Sequence, residues 1–268
     1  MNMIRWIITI LQRKGGSGKT TAALNLAHVM AILGFRILLI DIDDQQNSSN
    51  SISRHIQADL TVADLLLKDE VRVADVAVQT EWENVWIIPA SPNISGALKH
   101  LDSEVGGHLV LKEKLQAADG YDICLLDNSP SLNILNISSL CASSHLFIPL
   151  SSKYFSLSGL GQTLSAYNKV KQRLNPGLQL LGMAFVIHDC RTILSNEILQ
   201  KVKKQYPTLL FNTVIGNNIR IEEAQVRKQS ILTYAPEDRG AEQYRQLGIE
   251  IVDRLEAGSP AEKEAVYG

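Results

Sequence analysis

Two lysines bracket a run of small residues, Lys14-Gly15-Gly16-Ser17-Gly18-Lys19-Thr20-Thr21. A glycine-rich turn ahead of a Lys-Thr pair is chemistry for holding phosphates. Glycines let backbone N–H groups come close to anionic oxygens. A helix starting near Lys19 adds about half a positive charge at its N-terminus. In that setting Lys19 reaches the β- and γ-phosphates and the Thr20 hydroxyl ligates Mg2+. The usual spacing, Gly-x4-Gly-Lys-Ser/Thr, fails at one position, because its opening glycine is Arg13. Lys14 is the second oddity. ATP with Mg2+ keeps about two negative charges, and a second lysine would offset the one that Lys19 leaves as charge develops on the transferring phosphoryl group. Five residues before Lys19, Lys14 starts on the outer side of the loop. It is better placed for a facing subunit's nucleotide than for its own, which implies a homodimer.

Carboxylates stand at two other places. Arg36–Ile40 runs into Asp41-Ile42-Asp43-Asp44-Gln45-Gln46-Asn47, and Ile123-Cys124-Leu125-Leu126 runs into Asp127. Acids at the carboxyl ends of parallel strands face the ligand crevice of an α/β sheet. One can hold a Mg2+-bound water and another can position an attacking water. Thr20, Asp43 and Asp127 are therefore the candidate metal residues, and Lys14, Lys19 and Asp43 the candidate catalytic ones. Gly15, Gly16, Ser17, Gly18 and Thr21 complete the phosphate contacts.

The elements that must position these groups read as alternating strands and helices. Apolar runs without polar alternation lie at 4–11, 36–40, 85–89, 121–126, 145–150, 178–187 and 209–215, which suits strands buried on both faces. Helical patterns fall at 20–33, 61–67, 95–118, 132–142, 156–174, 195–205 and 241–256. Gly34 fits the C-terminal cap of the first helix. The alternation predicts one α/β, doubly wound domain over residues 1–257, a mostly parallel twisted sheet of about seven strands flanked by helices, of P-loop NTPase type. The small polar tail 258–268 is expected to fray.

Composition sets limits on function. The net charge of −2 does not mark a nucleic-acid binder, yet the segment from Lys153 to Lys228 carries eleven Lys/Arg against four Asp/Glu, a balance of +7 that leaves −9 elsewhere. Cys124, Cys141 and Cys190 have no metal-ligand spacing and suit a reducing compartment. Neither a signal peptide nor a membrane-length apolar run is present, so a cytoplasmic protein is expected.

K-G-G-S-G-K-T-T resembles the deviant Walker A signature of the ParA/MinD family of ATPases. In that family the first lysine reaches across a nucleotide-sandwich dimer, and a polar residue commonly replaces the opening glycine. The stretch 41–47 resembles its switch I, D-x-D-P-Q-G-N, with Asp43 on the hydrolytic aspartate, Asp44 in place of proline and Gln46 in place of glycine. Asp127-Asn128-Ser129-Pro130-Ser131-Leu132 resembles D-C-P-P-S-L, with Asn128 and Ser129 as departures. The resemblance continues through residues 152–160, through Asp189-Cys190-Arg191-Thr192-Ile193-Leu194 (D-x-R-T-x-L), Tyr234-Ala235-Pro236 and Arg239-Gly240-Ala241-Glu242-Gln243-Tyr244. These segments point to the Soj-like partitioning branch. The chain starts directly at strand one, so operator-specific autoregulation through an N-terminal helix-turn-helix is not expected.

The resemblance implies an ATP-bound homodimer, nucleoid-associated through non-specific DNA contacts and released when a ParB-like partner stimulates hydrolysis. Arg191 and Arg220 fall on the DNA-contacting positions, inside the +7 segment. The family's P-R-N-V-R is Gly216-Asn217-Asn218-Ile219-Arg220 here, one arginine and one proline fewer, and Asn218 falls on an adenine contact. Positioning of a protein cargo is an alternative within the family. A MinD-like membrane cycle needs a basic amphipathic C-terminal helix. Leu247, Ile251 and Leu255 form a stripe there, but Glu250, Asp253 and Glu256 surround it, so a core-packing helix is the better reading. A metabolic enzyme on the same fold would turn over ATP only with its small substrate, and Lys14 argues against many of these.

Overall fold

A computed structural model describes residues 3–52, 58–91, 94–131, 133–152 and 157–258. Seven strands form one sheet: β1 (Trp6–Ile10), β2 (Ile37–Ile42), β3 (Val78–Gln79), β4 (Val85–Ile88), β5 (Ile123–Asn128), β6 (His145–Ser151) and β7 (Gln179–Ile187). Their order is β3-β4-β2-β5-β1-β6-β7. Every pairing is parallel except β3 with β4. Every residue of β2, β5 and β6 is buried, which is why these strands read as unbroken apolar runs.

Twelve α-helices connect and cover the sheet among the described residues: α1 (Lys19–Ile32), α2 (Asn47–Ile52), α3 (Val62–Leu67), α4 (Val73–Val76), α5 (Ile94–Ser103), α6 (Val110–Gln116), α7 (Ile134–Ala142), α8 (Leu157–Arg173), α9 (Ile193–Gln205), α10 (Ile219–Val226), α11 (Ile231–Tyr234) and α12 (Arg239–Ala257). Period-two alternation sorts strand side chains to opposite faces. Leu39 and Leu125 join the core under α1 and α12, while Leu38, Ile40, Cys124 and Leu126 join the core with Ile94, Leu111 and Leu135. Leu247, Ile251 and Leu255 of α12 are buried against α1, so the stripe packs in the core. Fully burying a side chain of this size stabilises by about 1.5–3 kcal/mol. The helices approach closely at Gly248, where an added Cβ would stand 2.3 Å from Val29 Cγ1. Gly34 follows α1 at φ 97°, and its N–H donates to the Ala31 carbonyl at 2.9 Å.

The short helices α2, α4, α10 and α11 have no counterpart in the sequence reading, and three further elements differ from it. The helix expected over 95–118 is two helices joined by a 3-10 turn at Gly107–Leu109. Gly106 takes φ 83°, and a Cβ on Gly107 would lie 2.1 Å from the Leu101 carbonyl oxygen. The strand expected over 209–215 is reduced to isolated parallel bridges, Met183 with Leu210 and His188 with Gly216. Between them the N–H groups of Asn212 and Thr213 donate to the Glu250 carboxylate of α12, each at 2.9 Å, and so leave the ladder. The short antiparallel β3 supplies the seventh strand instead. Residues 259–268 of the expected tail and residues 153–156 lie outside the described part.

Candidate nucleotide-binding site

The chain leaves β1, forms the loop 11–18 and enters α1 at Lys19. The strands on either side of β1 are β5 and β6, so the winding reverses there and opens a crevice at the carboxyl ends. Gly15 to Thr21, with Asp43, Gln45, Asn47, Pro130, Ile187 and Gln225, line a cavity of about 310 Å3 in that crevice. Gly16 and Gly18 take φ 72° and 82°, the left-handed region that glycine enters without penalty. A Cβ on Gly18 would also meet Val186 Cγ2 at 2.7 Å. Arg13 is not among the residues with positive φ, so its position does not demand a glycine. Nor does Gly15 have positive φ or, among the described residues, any atom within 4 Å of an added Cβ. Lys14 is half-buried and does not line the cavity.

Pairing sets the carboxylate geometry. Asp127 stands beside Ile10 of β1 and Asp41 of β2 in register. Asp127 is fully buried, and its Oδ2 accepts the Ser48 hydroxyl at 2.7 Å. Burial pushes its pKa up to about 6, opposed by the Ser48 bond, the Lys19 charge and the Thr20 hydroxyl. Asp41 goes to about 7, through burial first and then the negative charge of Asp127. Lys19, 7% exposed, is lowered by burial, with Asp127 and Asp43 working the other way. Asp43 is raised by burial, while the Gln45 N–H that it accepts at 3.1 Å lowers it.

The loop after β2 is pinned at both ends. Asp41 Oδ2 accepts the N–H and the hydroxyl of Ser49, each at 2.7 Å, and Oδ1 accepts the Asp43 N–H at 3.1 Å. Ser49 Oγ accepts the Ala90 N–H at 2.9 Å. These contacts fix where Asp43 can stand. Gln46, in place of the glycine of the family pattern, takes φ 54°, which costs a side chain about 1–2 kcal/mol. Asn128 is buried and satisfied: its amide donates to the Leu126 carbonyl at 3.0 Å and its oxygen accepts the Ser139 hydroxyl at 2.7 Å. That departure from the pattern is therefore compensated locally. The contacts of Ser48, Ser49 and Gln225 carried no signal in the sequence, because serines and glutamines in helices match no motif, and Asp41 was legible only as an acid at the end of β2.

Two orphaned atoms decide what the crevice fits. Among the described residues, Asp127 Oδ1 and Ser17 Oγ are buried without a hydrogen-bond partner. An unpaired carboxylate oxygen beside the Thr20 hydroxyl suits Mg2+, which keeps several waters and takes one or two protein oxygens. An unpaired loop hydroxyl among glycine N–H groups suits a phosphate oxygen.

The other sequence candidates gather elsewhere. Arg191 and Asn218 line a second cavity of about 560 Å3, which begins at His188, the residue after Ile187. Asn218 caps α10: its oxygen accepts the Arg220 N–H at 2.9 Å and its amide donates to Asp238 at 2.5 Å. Both arginines are exposed, and both are paired. Arg191 grips Asp189 through two bonds of 2.8 Å and holds that carboxyl at about 2. Arg220 Nη1 donates to Glu223 at 3.0 Å.

The sequence matches the AAA domain family over residues 5–180. It is 36% identical over 247 residues to the sporulation initiation inhibitor protein Soj of Bacillus subtilis, with 91% of this chain and 97% of that protein covered. The chain belongs to the ParA/MinD family of ATPases. The chromosome partitioning protein ParA of Caulobacter vibrioides is 34% identical over 252 residues, 92% of this chain and 94% of that one. Among solved structures, cobyrinic acid a,c-diamide synthase of Mycobacterium smegmatis with ADP and magnesium superposes with TM-score 0.83 at 26% identity, covering 97% and 98% of the two chains. MinD of Pyrococcus horikoshii with Mg-ADP superposes with TM-score 0.76 at 25% identity, covering 94% and 97%. In this ParA/MinD ATPase residues 15–21 and Asp43 line one crevice, with Asp127 buried behind Lys19 and Thr20, and Arg191 and Asn218 line a neighbouring one.

Proposed function

We propose that this protein is a DNA-partitioning ATPase that uses Mg-ATP binding to form a sandwich dimer on non-specific DNA. The observation that carries the reading is the buried Lys19–Asp127–Asp43 group behind a loop in which Gly16 and Gly18 take left-handed φ. Gly15, Gly16, Ser17, Gly18 and Thr21 hold the phosphates by backbone and hydroxyl groups. Lys19 places its charge on the β/γ end. Thr20, Asp127 and Asp43 hold Mg2+, directly or through its waters. The metal supplies neutralisation of the developing phosphoryl charge. Asp43, held by Asp41 through its N–H, orients the attacking water. Lys14 crosses to the partner's nucleotide, in keeping with its place outside its own cavity. Asn218 borders the nucleoside end, in the cavity that continues from Ile187 to His188.

Arg191 and Arg220 bind DNA phosphates without reading bases, with Lys201, Lys203, Lys204, Arg227 and Lys228 widening the patch. Their ion pairs with Asp189 and Glu223 lower the effective charge. The likeness to a diamide synthase is one of fold, and relatives at 34% and 37% identity carry chromosome-partitioning names, so a small-molecule ligase is the weaker reading. A ParB-like protein stimulates hydrolysis and releases the dimer.

The test is binding to non-specific duplex DNA at low and moderate salt with ATP or ADP, for wild type and Arg220→Ala. ATP-dependent binding that weakens with salt and with the substitution supports the reading. Dimerisation with ATP but no DNA binding in any state removes the DNA step and favours a protein surface as the scaffold.

A further inference from the structure

The two threonines that open α1 face different walls of the phosphate cavity. The Thr20 hydroxyl sides with Asp127. The Thr21 hydroxyl donates instead to Gln225 Oε1 of α10 at 3.1 Å. Gln225 lines the same cavity as Gly15 to Thr21. Its oxygen is taken by Thr21, and its two amide N–H groups have no partner among the described residues. A half-buried amide beside glycine-loop N–H groups is a donor for an anionic oxygen.

The amide is also held in place. Thr21, Asn25 and His28 lie at i, i+4 and i+7, on one face of α1. Each reaches the segment that carries Gln225. Beyond the Thr21 bond, Asn25 Oδ1 accepts the Ile231 N–H at 2.9 Å, and His28 Nδ1 pairs with the Ser230 hydroxyl at 2.5 Å. Asn25 is itself fixed, since its amide donates to the Thr21 carbonyl at 2.8 Å. The ring of His28 stacks on Trp82 at 4.8 Å and 5°. A donor anchored this way loses little freedom on binding.

We propose that Gln225 is a nucleotide-contacting residue whose amide donates to the α-phosphate end of the bound nucleotide. The proposal rests on the nucleotide-site reading above. The assignment to the α-phosphate follows from the walls. Lys19 and Thr20 work beside Asp127 and Asp43, which serve the β/γ and Mg2+ end. Gln225 holds the hydroxyl that turns away from those acids. The α-phosphate is common to ADP and ATP, so Gln225 contributes equally to both. It also seats α10, the helix that begins with Ile219 and Arg220, against the loop that grips phosphate.

Calorimetric titration with Mg-ADP and with the Mg2+ complex of a non-hydrolysable ATP analogue tests this on three chains: wild type, Gln225→Met and Gln225→Glu. Met keeps the length and loses every bond. Glu keeps an acceptor for Thr21, and hence the seat of α10, but replaces the donors with negative charge. Both variants are expected to weaken ADP and the ATP analogue alike, Met by about 10-fold and Glu by more, as one hydrogen bond to a charged group predicts. Gln225→Glu binding like wild type while Gln225→Met is weak would make Gln225 a purely structural tether and overturn the proposal. Loss confined to the ATP analogue, or no loss in either variant, would also overturn it. A wild type that binds neither nucleotide would instead refute the underlying nucleotide-site reading.

Discussion

Asp127→Asn should make the nucleotide-free protein more stable and its response to Mg-ATP smaller. A carboxyl whose pKa stands at about 6 rather than the ordinary 3.8 costs the folded state roughly 3 kcal/mol when ionised. Asparagine keeps the shape and an acceptor for the Ser48 hydroxyl, and it removes the charge. Its amide then needs a partner where Oδ1 has none, which returns part of the gain. A net gain of about 1–2 kcal/mol remains, or roughly 2–5 °C in melting temperature for a chain of this size. The acidity works in the same direction. Folded pKa values of about 6 and about 7 for Asp127 and Asp41 lie above the unfolded value, so the folded state binds these protons more readily. Stability from this pair is therefore gained as pH falls from about 8 through 7 and 6 towards 4. Asp127→Asn should flatten that rise, because it removes one group and relieves the charge that raises the other. Differential scanning calorimetry at pH 7.5 and 6, with and without Mg-ATP, measures all of this. A variant that melts below wild type without ligand, or one that keeps the full Mg2+-dependent increment, would refute the reasoning.

Three further outcomes are expected. Gln46→Gly relieves a left-handed side chain at φ 54° but adds unfolded-chain entropy, so unfolding free energy should rise by no more than about 1 kcal/mol in a denaturant titration. Asp189→Asn frees Arg191 from its bidentate partner and should tighten non-specific DNA binding and steepen its salt dependence, whereas Arg191→Ala should flatten it by about one phosphate contact, both read by fluorescence anisotropy across a salt series. Gly248→Ala drives a methyl to 2.3 Å from Val29 Cγ1 and should cost about 1–3 kcal/mol, with Val29→Ala in the same chain restoring most of the melting temperature.

The phosphate loop was legible because its chemistry is local. Consecutive residues supply the N–H groups, the lysine and the hydroxyl, and the next helix supplies the dipole, so spacing alone places them. The buried strands were legible because a strand covered on both faces is apolar throughout. The break in 209–215 was not, because the acid that captures its N–H groups, Glu250, lies on α12. The helix expected at 95–118 runs straight through Gly106-Gly107 in the sequence reading, because the clash that excludes a side chain at Gly107 involves the Leu101 carbonyl in three dimensions.

The sequence by itself marked which residues are candidates for holding phosphate and metal, showed that Arg13 and Lys14 follow a family pattern, and determined that the sheet is mostly parallel and covered by helices. Only the tertiary structure decided which acids meet. Strand order puts β5 between β2 and β1, and this brings Asp41 and Asp127 into register and raises both. The fold also decided that Ser48 would hold one oxygen of Asp127 and leave the other free, that Asp189 and Glu223 would sit on the two arginines, and that Gln225 would stand over the loop. Each of these contacts joins residues that are distant in the chain or carry no motif. A charge or a hydroxyl acquires its role from the burial and the partners around it, and those are set by packing.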